Sequence, residues 1–176
     1  MRAGFALIVG LALCTTPVVA QGKVKAAATP QSVQVLEMCE TFAAGDVLAV
    51  EAAIAKGWDA YDQESESPFV RSYAGSKDVP GLGYANMFAL VESYPQNTFG
   101  YCRVDVAEPA GDGQSLIQAI QQLDRYEGEA IQNGDGSFAS LTGADGATDR
   151  LLLAHWSQEA FVVQLSINTI KAAAAE

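Results

Sequence analysis

The chain has 176 residues, with ten Lys or Arg against 21 Asp or Glu, a single His, and a formal charge of −11 at pH 7. It is 49% hydrophobic and only 18% charged, which excludes intrinsic disorder, and its one long apolar run excludes a multi-span membrane protein. The acidic balance argues against nucleic acid, whose binding needs Lys and Arg to displace counterions, and disfavours an anionic membrane surface.

Residues 1–20 read as a secretory signal peptide. Arg2 supplies the basic start, Phe5 to Leu13 the apolar stretch, and Val18-Val19-Ala20 the small residue at the cut. Cleavage after Ala20 starts the mature chain at Gln21 and leaves no transmembrane segment, since Thr15, Thr16 and Pro17 interrupt a run already too short to span. Lipidation at Cys14 is the weaker alternative, because Leu13 is not the small residue a lipobox wants. The short, Ala-rich signal has a bacterial look, so the expected location is the periplasm or beyond. Losing Arg2 takes the formal charge to −12.

Two cysteines remain, Cys39 and Cys102. In an oxidising compartment, without a C-x-x-C, they predict one structural disulfide.

Residues 21–31 form a small, polar leader, and a single domain is expected over 32–171 with a frayed tail at 172–176. Ser32 is the expected N-cap of a first helix with Val35, Leu36, Cys39, Phe42 and Ala43 at helical spacing. Gly45 can stop it and Asp46 can cap a second helix, buried along Val47, Val50, Ala53 and Ile54, which Gly57 ends. Trp58 to Tyr61 suits a short strand or an anchor, Asp62 to Pro68 an acidic loop, and Phe69 to Tyr73 a strand. Gly75 to Gly83 reads as an exposed turn-rich stretch.

Tyr84 to Tyr94 and Phe99 to Val106 are the stronger strands, joined by a turn at Pro95 to Thr98. In the second, Gly100, Cys102, Val104 and Val106 alternate with Phe99, Tyr101, Arg103 and Asp105. The cysteine marks the core face. After a loop, Ser115 and Gln118 have capping-box form, and a helix is expected to about Tyr126 with Leu116, Ile117, Ile120 and Leu123 buried. Asn133 to Gly136 is a turn and Ser137 to Leu141 a strand. Asp145-Gly146 is a hairpin signal, and Leu151 to Trp156 and Phe161 to Ile170 are the last strands. The expected fold is α+β: a mostly antiparallel sheet with helices packed on one face, as a two-layer sandwich.

No chemical motif is complete. His155 is a weak catalytic candidate, because an imidazole beside an acid can act as a general base, yet no nucleophile motif accompanies it. One His and a disulfide leave no zinc or copper ligand set. The stretch Asn133 to Ser137 departs from a calcium loop at both ends, with Ile131 and Thr142 at ligand positions. Asp59, Asp62, Glu64 and Glu66 could meet a cation or a basic partner, or hold a carboxylate pair for hydrolysis. Gly81-Leu82-Gly83 lacks the rest of a phosphate-binding fingerprint. No metal or cofactor is expected.

The less ordinary feature is aromatic. Phe99 and Tyr101 fall opposite Cys102, and Phe88, Leu90 and Tyr94 share the face of Glu92; if these faces are the outer one, the five form a patch for a protein or small-molecule partner, or for a homodimer. The leading expectation is therefore a small exported binding or protein-interaction module without catalytic machinery. A periplasmic hydrolase using carboxylates with His155, and a structural envelope component, are the alternatives.

Overall fold

In the computed structural model, which describes residues 28–134, 136–144 and 148–171, Pro30 opens the first helix, α1 (Gln31–Ala43). The expected cap, Ser32, sits instead inside the first turn. It is fully buried, and its hydroxyl donates to the carbonyl of Leu116 at 2.8 Å. Pro30 holds the cap position without a side-chain cap hydrogen bond, and Ser32, one residue inside the helix, instead ties α1 to a distant element. Gly45, at φ +76°, ends the helix as anticipated.

Asp46 accepts a hydrogen bond from the Leu48 N–H at 2.9 Å, ahead of α2 (Ala49–Ala55). The expected buried stripe needs correcting. Val47 and Ile54 are exposed, whereas Ala49 and Ala53 are buried and Val50 leans on the core. A helix of seven residues has only about two turns. Its small alanines make the close approach, and its larger apolar residues are left outside.

The strands are β1 (Asp59–Gln63), β2 (Val70–Val79), β3 (Gly83–Ser93) and β4 (Asn97–Ala107), then, after α3 (Gly113–Gln121), β5 (Tyr126–Asn133), β6 (Gly136–Gly143), β7 (Asp149–Trp156) and β8 (Ala160–Ile170). Three expectations fail here. Gly75 to Val79 is not an exposed turn but the second half of β2, with Gly75 and Val79 buried. Gly75 faces inward, where an added Cβ would come within 3.1 Å of Met87 and 3.3 Å of Ala60. Glycine there permits contact between strands rather than a turn.

α3 is capped not by Ser115, which lies inside its first turn, but by Asp112, whose carboxylate accepts from the N–H groups of Gln114 and Ser115. It stops at Gln121, five residues before Tyr126, where the expected helix was to end. The residues beyond it form a strand, β5, that alternation could not reveal. It lies at the sheet edge and is exposed at all but two positions, Tyr126 and Ala130. The Asp145-Gly146 signal, the signal peptide and the frayed tail after Lys171 lie outside the described residues. β6 and β7 do pair antiparallel on either side of that dipeptide.

All eight strands join in one antiparallel sheet, ordered β1-β2-β3-β4-β8-β7-β6-β5. This α+β order is two copies of one plan, a helical segment followed by a four-strand meander. The copies meet where β4 pairs β8. The register repeats with them, because Asp62-Tyr73-Ala89-Cys102 on one side continues as Leu165-Leu152-Leu141-Gly128 on the other.

α1 contacts β3, β4 and β8, and α3 contacts β5, β6 and β7. The strand residues turned toward them (Met87, Val91, Val104, Phe161, Leu165) join Leu36, Met38, Phe42, Ile117 and Ile120 in one buried cluster. Cys39 of α1 bonds to Cys102 of β4, with their Cα atoms 5.2 Å apart, as expected from the sequence. Gly100 lets α1 settle on the sheet, because a Cβ there would overlap the carbonyl of Ala43. Glu40 adds a polar tie. It receives both Arg125 Nε at 2.6 Å and Nη2 at 2.9 Å, and the Tyr126 hydroxyl at 2.9 Å.

Candidate binding face

The alternation that fills the core also fixes what the opposite face carries. Side chains at successive strand positions point to opposite sides, and direct cross-strand partners share a side. The outward residues therefore line up in rows across the sheet. One row runs Glu129, Ser140, Leu153, Gln164, Arg103, Phe88, Ala74, Tyr61. Its neighbour on one side runs Ile131, Phe138, His155, Val162, Asp105, Asn86.

These rows enclose a concavity of about 570 Å³ over β5 to β8 and the near side of β4. Apolar side chains dominate its floor: Ile131, Phe138, Leu153 and Val162. Ile131 is 60% exposed and Leu153 39%, so large apolar groups here face outward and not into the core. His155 stacks on Phe138 with ring centroids 4.5 Å apart and planes at 15°. Here the lone histidine extends the apolar floor and presents a polar edge.

Arg103 crosses the groove margin. Its Nε lies 2.8 Å from Asp105 Oδ2 and its Nη2 2.6 Å from Oδ1, and Nη1 reaches Gln164 at 3.5 Å. Hydrogen bonding to Asp105 holds its pKa still higher than usual. Both side chains are nearly half exposed, so the pair adds little stability. Its consequence is local: the guanidinium charge is already answered. Glu129 stands at the other margin.

The residues expected to form an aromatic patch are distributed unevenly. Phe88, Leu90, Phe99 and Tyr101 all lie on this outer face of β3 and β4, with the Phe88 and Tyr101 rings 6.5 Å apart. Tyr94 is past the end of β3. Its hydroxyl meets Glu92, and it lines a separate hollow of about 260 Å³ with Phe69 and Pro95. The patch therefore borders the groove instead of coinciding with it.

Of the groove residues, sequence reasoning singled out His155 and named Ile131 only as a misfit in a calcium loop. Leu153, Phe138, Val162 and Glu129 were missed. A signal existed in β7, where Leu151-Leu152-Leu153-Ala154 is apolar on both faces although only one can meet the helices.

The acidic set is spread out. Asp59 and Asp62 are exposed on β1, and Glu64 and Glu66 are exposed in the loop after it. Among the described residues, no group of three or more His, Cys, Asp or Glu could hold a metal ion. Among the same residues, no helix is long and apolar enough to cross a membrane. Compared with known proteins, the chain matches no family model, no curated protein and no solved structure.

Proposed function

We propose that this chain is an exported binding module, built as a two-layer sandwich whose helices cover one sheet face and whose other face takes the ligand. The observation that carries this reading is the groove over β5 to β8, where Ile131, Phe138, Leu153 and Val162 turn outward around the His155 ring. Apolar side chains are normally spent on the core, and a contiguous apolar hollow on an otherwise acidic molecule marks a site of association. The groove is framed by few polar groups, Glu129, Ser140, Gln164 and the Arg103–Asp105 pair, which would orient a ligand instead of reacting with it. The Phe88 and Tyr101 patch extends the same face toward β3 and can lengthen the contact. Export follows from residues 1–20 as read in the sequence.

Titration with N-phenyl-1-naphthylamine, a neutral dye that brightens in apolar sites, tests the reading. Saturable binding is expected, weakened at least about fivefold by Phe138→Ser or Leu153→Ser, because each removes a buried contact of roughly 1 kcal/mol or more. Dye binding that is unsaturable, or indifferent to both substitutions, would place the apolar site elsewhere.

A further inference from the structure

The charges on the strands are sorted by face, with Asp62 on the helix side the exception among the acids. Outward positions carry Asp59 and Asp78 toward the β1 edge, Glu92 and Asp105 in the middle, and Glu127, Glu129 and Asp149 in the other half. The same positions carry one base, Arg103, and Asp105 neutralises it through paired hydrogen bonds. The other strand bases face the helix side. Arg71 donates to the Gly45 carbonyl beyond α1, Lys77 donates to the Lys56 carbonyl beyond α2, and Arg150 shares its side of β7 with the buried Leu152 and Ala154. The open face thus combines an apolar groove with a surplus of carboxylates.

We propose that the groove takes a cationic, apolar stretch of polypeptide: an extended partner segment in which Lys or Arg stand beside leucine-like side chains. This rests on the outer face being the binding face and names the chemistry of its partner. Leucine-like groups would fill the floor between Phe138, Leu153 and Val162. The partner's ammonium or guanidinium groups would reach Glu129 and Glu127 on the outer face of β5, where both carboxylates are exposed. A second copy of the chain fits poorly, because two such faces would bring carboxylates against carboxylates with their only base already paired. An anionic lipid surface is repelled for the same reason.

The test uses two labelled nine-residue peptides, one alternating lysine with leucine and one alternating glutamate with leucine, titrated by fluorescence anisotropy against the mature protein. The lysine peptide should bind and weaken as salt rises. Glu127→Gln with Glu129→Gln should weaken it about tenfold, as should Phe138→Ser. Glu37→Gln with Glu51→Gln, an equal charge change on the helices, should leave it within about twofold. The proposal is overturned if the glutamate peptide binds as tightly, or if the helix pair weakens binding as much as the β5 pair. It is also overturned if light scattering finds a dimer that Phe138→Ser disperses, since a second copy would then occupy the face. Retained naphthylamine binding with no lysine-peptide binding would defeat this inference alone. Loss of both would defeat the binding-face reading as well.

Discussion

Tyr126 concentrates several of the forces that hold the molecule together. It is buried, yet its hydroxyl donates to Glu40, which also grips Arg125 in a two-pronged ion pair. Burial first, and then the Glu40 charge and hydrogen bond, push its pKa above the ordinary value near 10. The folded chain therefore holds this proton more tightly than the unfolded chain. Its contribution is complete below pH 10 and is lost as pH climbs further, by up to about 1.4 kcal/mol per pH unit. Denaturant melts between pH 9 and 11 should show this fall, and Tyr126→Phe should flatten it while costing about 1 kcal/mol at pH 7. An unchanged slope in the variant would remove Tyr126 from the account. Cys39 and Cys102 are the other decisive residues. Their bond closes a loop across a separation of 63 residues, worth about 4 kcal/mol in the chain-entropy view. Cys39→Ala with Cys102→Ala should lose roughly that much in urea unfolding, and a loss under about 1 kcal/mol would contradict it.

At the scale of elements, two contacts between helix and sheet set the architecture. α1 crosses β4 at Gly100, where there is no room for a methyl group between strand and helix end. Gly100→Ala should force α1 off its seat and cost about 3 kcal/mol, against about 1 to 2 kcal/mol for Gly134→Ala, whose surroundings are open and where only the left-handed φ of +58° opposes an alanine. Equal costs in the two variants, measured by thermal unfolding, would mean that α1 is not held there. The start of α3 is closed in the same way, because a Cβ at Gly113 would run into the Trp156 ring. What was legible at this scale followed burial. β3, β4 and β8 stand in the centre of the sheet with one face on the helices, and their alternation is plain in the sequence. β5 was invisible because only Tyr126 and Ala130 of this edge strand turn away from solvent, too few to make an apolar period. The second half of β2 was hidden by Gly75, Lys77 and Asp78, turn-like residues that lie in a strand held by pairing to β3. Tertiary pairing there overrides local preference.

Across the whole molecule, the central feature is the difference between the two faces of one sheet: one carries the buried cluster, and the other turns Ile131, Phe138 and Leu153 outward. The disulfide and the alternation of β4 identified the core face from sequence, because a cysteine shared with a helix cannot face away from it. That same step placed Phe99 and Tyr101 outward, while for Phe88 and Leu90 the guide was the Glu92 they share a face with. The groove itself was not legible, since it needs Glu129, Phe138, Leu153 and Gln164 brought side by side by strand pairings that no local pattern encodes. The repeat of helical segment and meander was hidden likewise. Cys102 and Leu165, or Tyr73 and Leu141, hold equivalent places without sharing a residue type.

The most direct measurement is an amide chemical-shift map of the mature protein during titration with N-phenyl-1-naphthylamine. The outer face being the binding face predicts the largest shifts at Ile131, Phe138, Leu153, His155 and Val162, with little change along α1 and α3. Shifts concentrated on the helices, or spread evenly over the chain, would contradict it.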